Sequence, residues 1–309
     1  MTTKNYEKNR YYLTTQRGIR HIVQIFMFIL LNASFLGFTA IWLVLPINQP
    51  PTPWSISDGA LYVLTNQVVN AIFPFIPLAM FFIIGSLIGK TLCGWVCPFG
   101  FFQDILAFFP FKKKYVSKSN NEGFTDASKF LAFVIIIFSF FIGISRLVGG
   151  EQGLFDVQKS FGVLGQDPLA ALDPASTIFA YFPYKIMNGE VPIIQKNIDL
   201  LNVLAPDNLL FEFRIISILF IIILCLFIPR AFCRYLCPTG AVLGLFSDSA
   251  LLGLNRNLAL CNQCGACEAI CPMGVRILDH PEKIRDGLCI NCTDCVYVCD
   301  TGALKLKIE

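Results

Sequence analysis

The stretch CGWVCPFG, residues 93–100, holds two cysteines four positions apart, followed directly by a proline and then by a glycine. The same spacing returns 140 residues later as CRYLCPTG, residues 233–240. Proline disfavours helix at the residue before it and is well suited to the first position of a helix. Each motif therefore predicts a helix boundary at its second cysteine, with Pro98 and Pro238 opening the next short helix.

The rest of the chain is unusually apolar. Of its 309 residues, 55% are hydrophobic and only 15% are charged, whereas roughly a quarter of an average soluble domain is charged. Four apolar runs stand out: Ile22 to Ile47, Ile72 to Gly89, Phe130 to Ser145, and Ile215 to Pro229. A bilayer span takes about 20 such residues, and Arg146 and Arg214 can complete the two shorter runs by snorkelling to the interface. The sequence predicts four transmembrane helices.

Basic residues give the orientation, because lysine and arginine favour the cytoplasmic side of a membrane. They cluster before the first run (Lys4, Lys8, Arg10, Arg17, Arg20), after the second (Lys90, Lys112, Lys113, Lys114, Lys118) and after the fourth (Arg230, Arg234). The loop 48–71 has none, and the segment 151–207 has three lysines against seven acids. We expect a multi-pass protein of the cell (cytoplasmic or inner) membrane with both termini in the cytoplasm. Since each half crosses twice, the two hairpins are expected to be parallel repeats.

Thirteen cysteines against two histidines indicate a metal protein more than a disulfide scaffold. Two runs near the end, ALCNQCGACEAICPMG from Ala259 and GLCINCTDCVYVCDTG from Gly287, both have the spacing C-x2-C-x2-C-x3-C. This pattern resembles the bacterial two-cluster ferredoxin, in which the fourth cysteine of each run ligates the other cluster. The resemblance implies two [4Fe–4S] clusters, one held by Cys261, Cys264, Cys267 and Cys299, the other by Cys289, Cys292, Cys295 and Cys271. A zinc module is the alternative, but it uses four cysteines in two C-x2-C pairs.

The membrane motifs supply four more cysteines: Cys93, Cys97, Cys233 and Cys237. Residues i and i+4 share a helix face, and Lys90, Arg230 and Arg234 add positive charge that favours thiolate. If the repeat brings the pairs together, four thiolates form a soft site suited to an iron–sulfur cluster, zinc or Cu(I). We expect a third cluster or another bound metal there; a dithiol–disulfide couple and plain structural packing are the alternatives. Cys225 is expected to be a small buried hydrophobe.

These features suggest three domains: a basic cytoplasmic N-terminus (1–20), a membrane domain with both C-x3-C-P motifs (21–255), and a cytoplasmic ferredoxin domain (256–309). Together with the loop VLGQDPLAALDP (163–174), they resemble the iron–sulfur membrane subunits of quinol dehydrogenases that serve periplasmic nitrate reductase, and the related regulators of nitrous oxide reduction. The fold expected is an α-helical membrane protein of four transmembrane helices in two parallel hairpin repeats, with a small α+β ferredoxin-like domain. The resemblance implies electron transfer between the membrane quinone pool and iron–sulfur or cytochrome redox partner subunits.

A quinone site is the least defined of these expectations. Asp58, Asp167 and Asp173 lie near the expected outer interface among apolar residues and are the candidates. Helix capping is the alternative role, since Asp167 and Asp173 each precede a proline that suits the first helical position. Two other functions stay open: a copper-handling or copper-reducing assembly factor that uses the membrane cysteines, and a redox-sensing regulator. The net charge of +3 gives no argument for nucleic acid.

Overall fold

The computed structural model describes residues 3–32, 43–52, 55–107, 121–161, 163–169, 173–181, 183, 206–247 and 249–308. These residues are mostly helical and belong to two compact units. The first unit comprises Met1–Leu31, Ala79–Ala132 and Cys225–Glu309; the second comprises Asn32–Leu78 and Phe133–Leu224. Residues 33–42 of the first apolar run lie outside the described residues, so that predicted span is described only in part.

Among the described residues, all but four helices are short. In chain order they are α1 (Thr3–Leu31), α2 (Ala60–Val69), α3 (Phe75–Ile88), α4 (Thr91–Trp95), α5 (Pro98–Leu106), α6 (Asn121–Phe161), α7 (Val163–Gln166), α8 (Pro174–Ser176, continued by a π turn over Thr177–Tyr181), α9 (Pro206–Phe227), α10 (Ala231–Tyr235), α11 (Pro238–Ser247), α12 (Ala266–Ile270) and α13 (Asp294–Val298). The strands are β1 (Leu43–Leu45), β2 (Ser57–Gly59), β3 (Leu252–Arg256), β4 (Lys283–Ile284) and β5 (Leu304–Ile308).

One helix in the described part of the chain is long and apolar enough to cross a membrane, the stretch Ala127–Phe161 of α6. Gly150, with φ 60° and ψ −149°, interrupts the helical geometry of α6 near its C-terminal end. Helix α3 and the stretch Phe213–Phe227 of α9 are apolar but shorter. The prediction of four transmembrane helices therefore stays a prediction for the other three.

The two cysteine motifs share one local structure. The first cysteine lies in a five-residue helix, α4 or α10, and the second lies just beyond that helix in extended or turn backbone. Helices α5 and α11 then begin at Pro98 and Pro238, and Cys97 is the N-cap of α5 with φ −62° and ψ 121°. The predicted helix boundary at the second cysteine is confirmed in both copies.

The C-terminal part of the first unit is a small α+β fold. Strand β3 is central in a three-stranded antiparallel sheet of order β4-β3-β5, with Leu254 opposite Ile284 on one side and Leu306 on the other. Helices α12 and α13 each lie within one cysteine run. The sheet begins at Leu252, so it includes residues placed before the expected boundary at 256. Buried Leu254 and Ile284 contribute to its core, together with Met273 and Ile277.

The second unit contains a short parallel pair, β1 with β2, in which Leu43 lies opposite Ser57. Helix α2 follows this pair, and its N-cap is Gly59, whereas Asp58 lies in β2. The predicted N-cap at Asp173 is confirmed, since its carboxylate accepts a hydrogen bond from the Ala175 amide and Pro174 follows at the first helical position.

Candidate metal centres

Four thiols of the C-terminal fold surround one small cavity. Cys271, Cys289, Cys292 and Cys295 line it, together with apolar side chains that include Leu254 and Met273. This is the set that the ferredoxin resemblance implies for one cluster. Burial raises the pKa of the Cys289 and Cys292 thiols to about 12 each, so a bound cation is needed to hold them as thiolates near neutral pH. Soft sulfur donors around a dry space fit an iron–sulfur cluster.

The backbone of the two cysteine runs follows the same turn. Gln263 and Gly265 of the first run have positive φ, 55° and 75°, and so do Asn291 and Thr293 at the corresponding positions of the second, 47° and 65°. Left-handed residues are uncommon outside glycine, and their repetition at matching positions indicates that both C-x2-C loops wrap in the same way. The fit of the second run to a cluster therefore extends to the first.

The other ligand set that the ferredoxin resemblance implies takes three cysteines from the first run and Cys299 from the second, and it is the more exposed of the two sets. Cys264 is exposed, Cys261 and Cys299 are half-buried, and Cys267 is buried. Burial raises the pKa of Cys267 to about 11, and Cys264 lies close enough to contribute. Within the described residues, no three His, Cys, Asp or Glu side chains converge closely enough to hold a single metal ion. In a [4Fe–4S] cluster each thiolate binds a different iron, so the four sulfurs are farther apart than the ligands of a single metal ion.

The cysteines of the two membrane motifs lie in one neighbourhood. Burial, with a smaller contribution from Cys97, raises the pKa of Cys93 to about 12, and Cys93 and Cys97 both raise the pKa of Cys233. Lys90 lies within electrostatic reach of Cys93, Cys233 and Cys237. The two pairs therefore lie within electrostatic reach of one another, and their role as one ligand set stays a prediction. None of the thirteen cysteines, all of which fall within the described residues, forms a disulfide.

Gln103 connects three parts of this neighbourhood and was not singled out by the sequence analysis. It is fully buried, and its Nε2 donates to Cys233 Sγ at 3.0 Å. Its Oε1 accepts from the Phe232 amide at 3.2 Å and faces the thiol of Cys225 at 3.5 Å. Cys225 is fully buried, as predicted. The signal for Gln103 was a polar Gln-Asp pair inside the apolar segment FFQDILAFF.

Each motif is preceded, three residues before its first cysteine, by a buried cation: Lys90 in one copy and Arg230 in the other. Arg230 pairs with Asp104, with Nε 2.7 Å from Oδ1 and Nη2 2.5 Å from Oδ2, and it donates to the Cys93 carbonyl at 3.1 Å. Burial raises the pKa of Asp104, but the Arg230 guanidinium outweighs burial and the pKa lies below its usual value. Asp104 thereby fixes a permanent positive charge beside the motif cysteines.

The expectation that Arg234 also serves the motif cysteines is corrected. Its guanidinium lies over the Tyr235 ring at 5.0 Å and within electrostatic reach of Cys271. A side chain at Gly274 would also collide with it. Arg234 therefore faces the C-terminal fold, because a helical residue one position beyond Cys233 points away from the side that the cysteine occupies.

The first motif packs directly on the second cysteine run. Trp95 Nε1 donates to the Asn291 carbonyl at 3.1 Å, and Asn291 Nδ2 donates to Thr91 Oγ1 at 2.9 Å. A Cβ added at Gly94 would lie 2.6 Å from the Ile290 carbonyl oxygen. The glycine of CGWVC is thus required for this close approach, which places Cys93 next to the loop between Cys289 and Cys292.

Helix α1 holds the same loop from another side. Arg17 and Arg20 form ion pairs with buried Asp294 at 3.0 and 3.2 Å. Gln24 donates to the Gly94 carbonyl at 2.9 Å. Arg17 and Arg20, which the sequence indicates only as cytoplasmic charges, therefore position the second cysteine run.

The three candidate quinone residues lie in the second unit and have unequal surroundings. Asp173 is buried, accepts from the Tyr62 hydroxyl, and accepts from Asn48 Nδ2 at 3.2 Å. Burial raises its pKa to about 6, against the opposing effect of these hydrogen bonds. Asp167 lies within electrostatic reach of Asp173. Asp58 is half-buried, and burial raises its pKa.

Comparison with known proteins places iron–sulfur domains on both halves of this architecture. A 4Fe-4S binding domain matches twice, at residues 70–115 and 211–257, and a 4Fe-4S dicluster domain matches residues 260–304. The chain is therefore an iron–sulfur electron-transfer protein with ferredoxin-type 4Fe-4S domains. The two matches of the first domain coincide with the two C-x3-C-P motifs and the apolar helices before them.

Several proteins are similar to the chain. The uncharacterized protein MJ0750 of Methanocaldococcus jannaschii is 26% identical over 74% of this chain and 77% of its own length. The putative electron transport protein YccM of Escherichia coli is 27% identical over 73% of this chain and 53% of its own length. The methylamine utilization ferredoxin-type protein MauN of Paracoccus denitrificans is 42% identical over 18% of this chain and 20% of its own length. No solved structure matches the chain significantly.

Proposed function

We propose that this chain is a membrane-bound electron-transfer subunit of a quinol dehydrogenase, which passes electrons between the quinone pool and iron–sulfur or cytochrome partner subunits. The observation that carries the proposal is the direct packing of the motif residues Gly94 and Trp95 on the loop that contains Asn291. That packing places the thiols of the first motif next to the cysteine run that contains Cys289, Cys292 and Cys295. Outer-sphere electron transfer needs such neighbouring redox sites and no other chemistry from the protein.

In this proposal the eight C-terminal cysteines hold two [4Fe–4S] clusters, which supply one-electron transfer when bound. Cys289, Cys292, Cys295 and Cys271 hold the inner one, and Cys261, Cys264, Cys267 and Cys299 hold the outer one. The chain keeps the inner site dry by covering it with α1 and the first motif. It leaves the outer site accessible, with Cys264 exposed and Leu258 and Leu260 exposed beside it. A redox partner therefore meets the chain at the first cysteine run.

The membrane assignment rests on the exposed surface of the apolar helices. Phe130, Phe133 and Phe141 of α6 are more than half exposed, as are Ile216 and Phe220 of α9. Soluble proteins rarely leave such contiguous apolar surface in water, whereas lipid covers it without cost. We therefore propose four spans in two parallel hairpins, with the basic N-terminus and the ferredoxin domain in the cytoplasm.

Asp173 supports the quinol part of the proposal. A general base works best when its pKa is close to the ambient pH, and the carboxyl of Asp173 has a pKa of about 6 because it is buried. Tyr62 donates to it and so provides a second group that can exchange a proton. In this role the Asp173 carboxylate takes a proton from a quinol hydroxyl.

The test is quinol oxidation by the purified protein in liposomes, with EPR spectroscopy following cluster reduction. We expect cluster signals after addition of a short-chain quinol, and a slower rate in an Asp173→Asn variant that still contains iron. If dithionite reduces the clusters but neither quinol nor quinone changes them, the quinol dehydrogenase role is wrong, and electron carriage between proteins remains.

The four motif cysteines define the second candidate function. Thiolates are soft donors that suit Cu(I) as well as an iron–sulfur cluster. Iron and sulfide content of the wild type and of a Cys93→Ser/Cys237→Ser double variant distinguishes the two. A third cluster predicts a loss of about four irons. Unchanged iron, together with Cu(I) binding that requires these thiols, supports copper handling instead.

A further inference from the structure

The two motifs are related by the repeat, but only one of their two buried cations has an acidic partner in the described part of the chain. Arg230 of the second copy pairs with Asp104, which lies eleven residues after Cys93 in the first copy. The cation that corresponds to Arg230 is Lys90, and the residue that corresponds to Asp104 is Gly244, eleven residues after Cys233. A Cβ added at Gly244 would lie 3.1 Å from Lys90 Nζ. The repeat thus places a glycine where its other copy places a counter-charge.

Lys90 is left in an unusual state. It is only 4% exposed, and none of the hydrogen bonds and ion pairs found among the described residues involves its Nζ. A lysine that is largely buried without a directly paired counter-charge is destabilising. Its electrostatic neighbours are the thiols of Cys93, Cys233 and Cys237, together with Asp286.

The space beside Lys90 is a cleft of about 550 Å³ within the first unit, which is in the range of small-molecule sites. Lys90, Lys129, Arg276 and Arg285 line it, against the carboxylates of Asp279 and Asp286. Asp279 pairs with one of these cations, since it lies 3.9 Å from Arg276, while Asp286 faces His280 at 3.4 Å and accepts from the Leu288 amide at 2.6 Å. The cleft therefore keeps an excess of positive charge.

We propose that this cleft binds a phosphate-bearing anion, which gives Lys90 the counter-charge that Asp104 gives Arg230. Phosphate accepts several charge-assisted hydrogen bonds at once from lysine and arginine. The rim includes Leu245, which is 65% exposed, so an apolar tail attached to the phosphate can lie on it. The ligand is either the headgroup of an anionic phospholipid or a free phosphate compound, and basic pockets at the cytoplasmic ends of membrane helices favour the former.

The test compares the wild-type full chain, Lys90→Met, and the control Lys305→Met, which removes an exposed lysine of β5 that does not line the cleft. One arm measures retention of phosphatidylglycerol relative to phosphatidylcholine by native mass spectrometry from mixed nanodiscs. The other titrates inorganic phosphate into the protein in phosphatidylcholine nanodiscs by calorimetry. We expect binding in at least one arm, weakened about tenfold or more by Lys90→Met and unchanged in the control. Retention that is equal in all three proteins, with no phosphate heat, overturns the proposal.

Three further variants cover the case in which Lys90→Met loses iron or does not fold. Gly244→Asp supplies the missing carboxylate and Gly244→Ala adds the same Cβ without charge. Lys129→Met removes a charge from an exposed rim position. We expect Gly244→Asp to weaken anion binding more than Gly244→Ala, and Lys129→Met to weaken it several-fold. Binding that is unchanged in Lys129→Met and equal in the two Gly244 variants contradicts the proposal.

Discussion

Replacing Asp104 by asparagine tests how the chain holds a positive charge beside the motif cysteines. The side chains of Arg230 and Asp104 are 1% and 9% exposed, and two hydrogen bonds of 2.7 and 2.5 Å join them. The asparagine side chain keeps the volume but removes the charge, so the buried guanidinium loses its counter-ion. Breaking a buried ion pair in this way costs about 3–5 kcal/mol.

The cost appears as a lower unfolding temperature. At roughly 2–4 °C per kcal/mol for a chain of this size class, Asp104→Asn is expected to lower the Tm in detergent by about 6–20 °C. The assay is thermal unfolding followed by intrinsic fluorescence, with iron content measured on the same samples. The matched control is Asp279→Asn, because Asp279 is exposed and its partner Arg276 lies 3.9 Å away; its effect is expected to stay below about 1 kcal/mol.

A double variant separates the lost charge from lost packing. Asp104→Leu/Arg230→Met replaces both charges by apolar groups of similar size, a change that is often close to neutral for buried pairs. It should therefore be more stable than Asp104→Asn alone. The reasoning is refuted if Asp104→Asn behaves like Asp279→Asn, or if the double variant is less stable than either single change.

Three further predictions concern the packing and charge of other residues. Gly94→Ala places a Cβ 2.6 Å from the Ile290 carbonyl oxygen and should loosen the inner cysteine run, so iron is lost faster to a chelator; Gly18→Ala, with nothing within 4 Å, should match the wild type. Arg20→Met removes a buried partner of Asp294 and should lower the Tm by roughly 6 °C or more; a change below about 2 °C contradicts the ion-pair role. Asp173 has its pKa raised from 3.8 to about 6, so its protonated form favours the folded state. This contribution to the free energy of unfolding is present in full below pH 3.8 and is lost as the pH rises through 6. The total loss is about 3 kcal/mol. The slope of Tm over this range should be reduced in Asp173→Asn.

The sequence predicted the parts of the fold that depend on local chemistry. Pro98 and Pro238 determined the helix starts, and the cysteine spacing indicated the ferredoxin-like fold. The convergence of the motif cysteines was predicted from the repeat, because a repeated motif with the same topology places equal parts near one axis. The ligand sets and the quinone site stay predictions.

Contacts between distant segments could not be read from the chain. The role of Gly94 depends on the Ile290 carbonyl, which lies in the other half of the sequence, and the role of α1 depends on Asp294. Arg234 was misplaced because spacing along a helix gives a direction only after the helix and its neighbours are known. The absence of an acidic residue at position 244 has a meaning only beside the ion pair of Arg230 with Asp104, which joins the two copies and cannot be read from the chain.

The most direct test of the central claim is the iron and acid-labile sulfide content of anaerobically purified protein, with EPR spectra of the reduced sample, for the wild type, Cys292→Ser and Cys225→Ser. The account predicts at least about eight irons per chain in the wild type and a loss of about four in Cys292→Ser. Cys225→Ser, which changes a buried thiol outside both C-terminal runs, should keep the wild-type content. A wild-type protein that contains zinc or no metal, or a Cys292→Ser protein with undiminished iron and unchanged spectra, would contradict it.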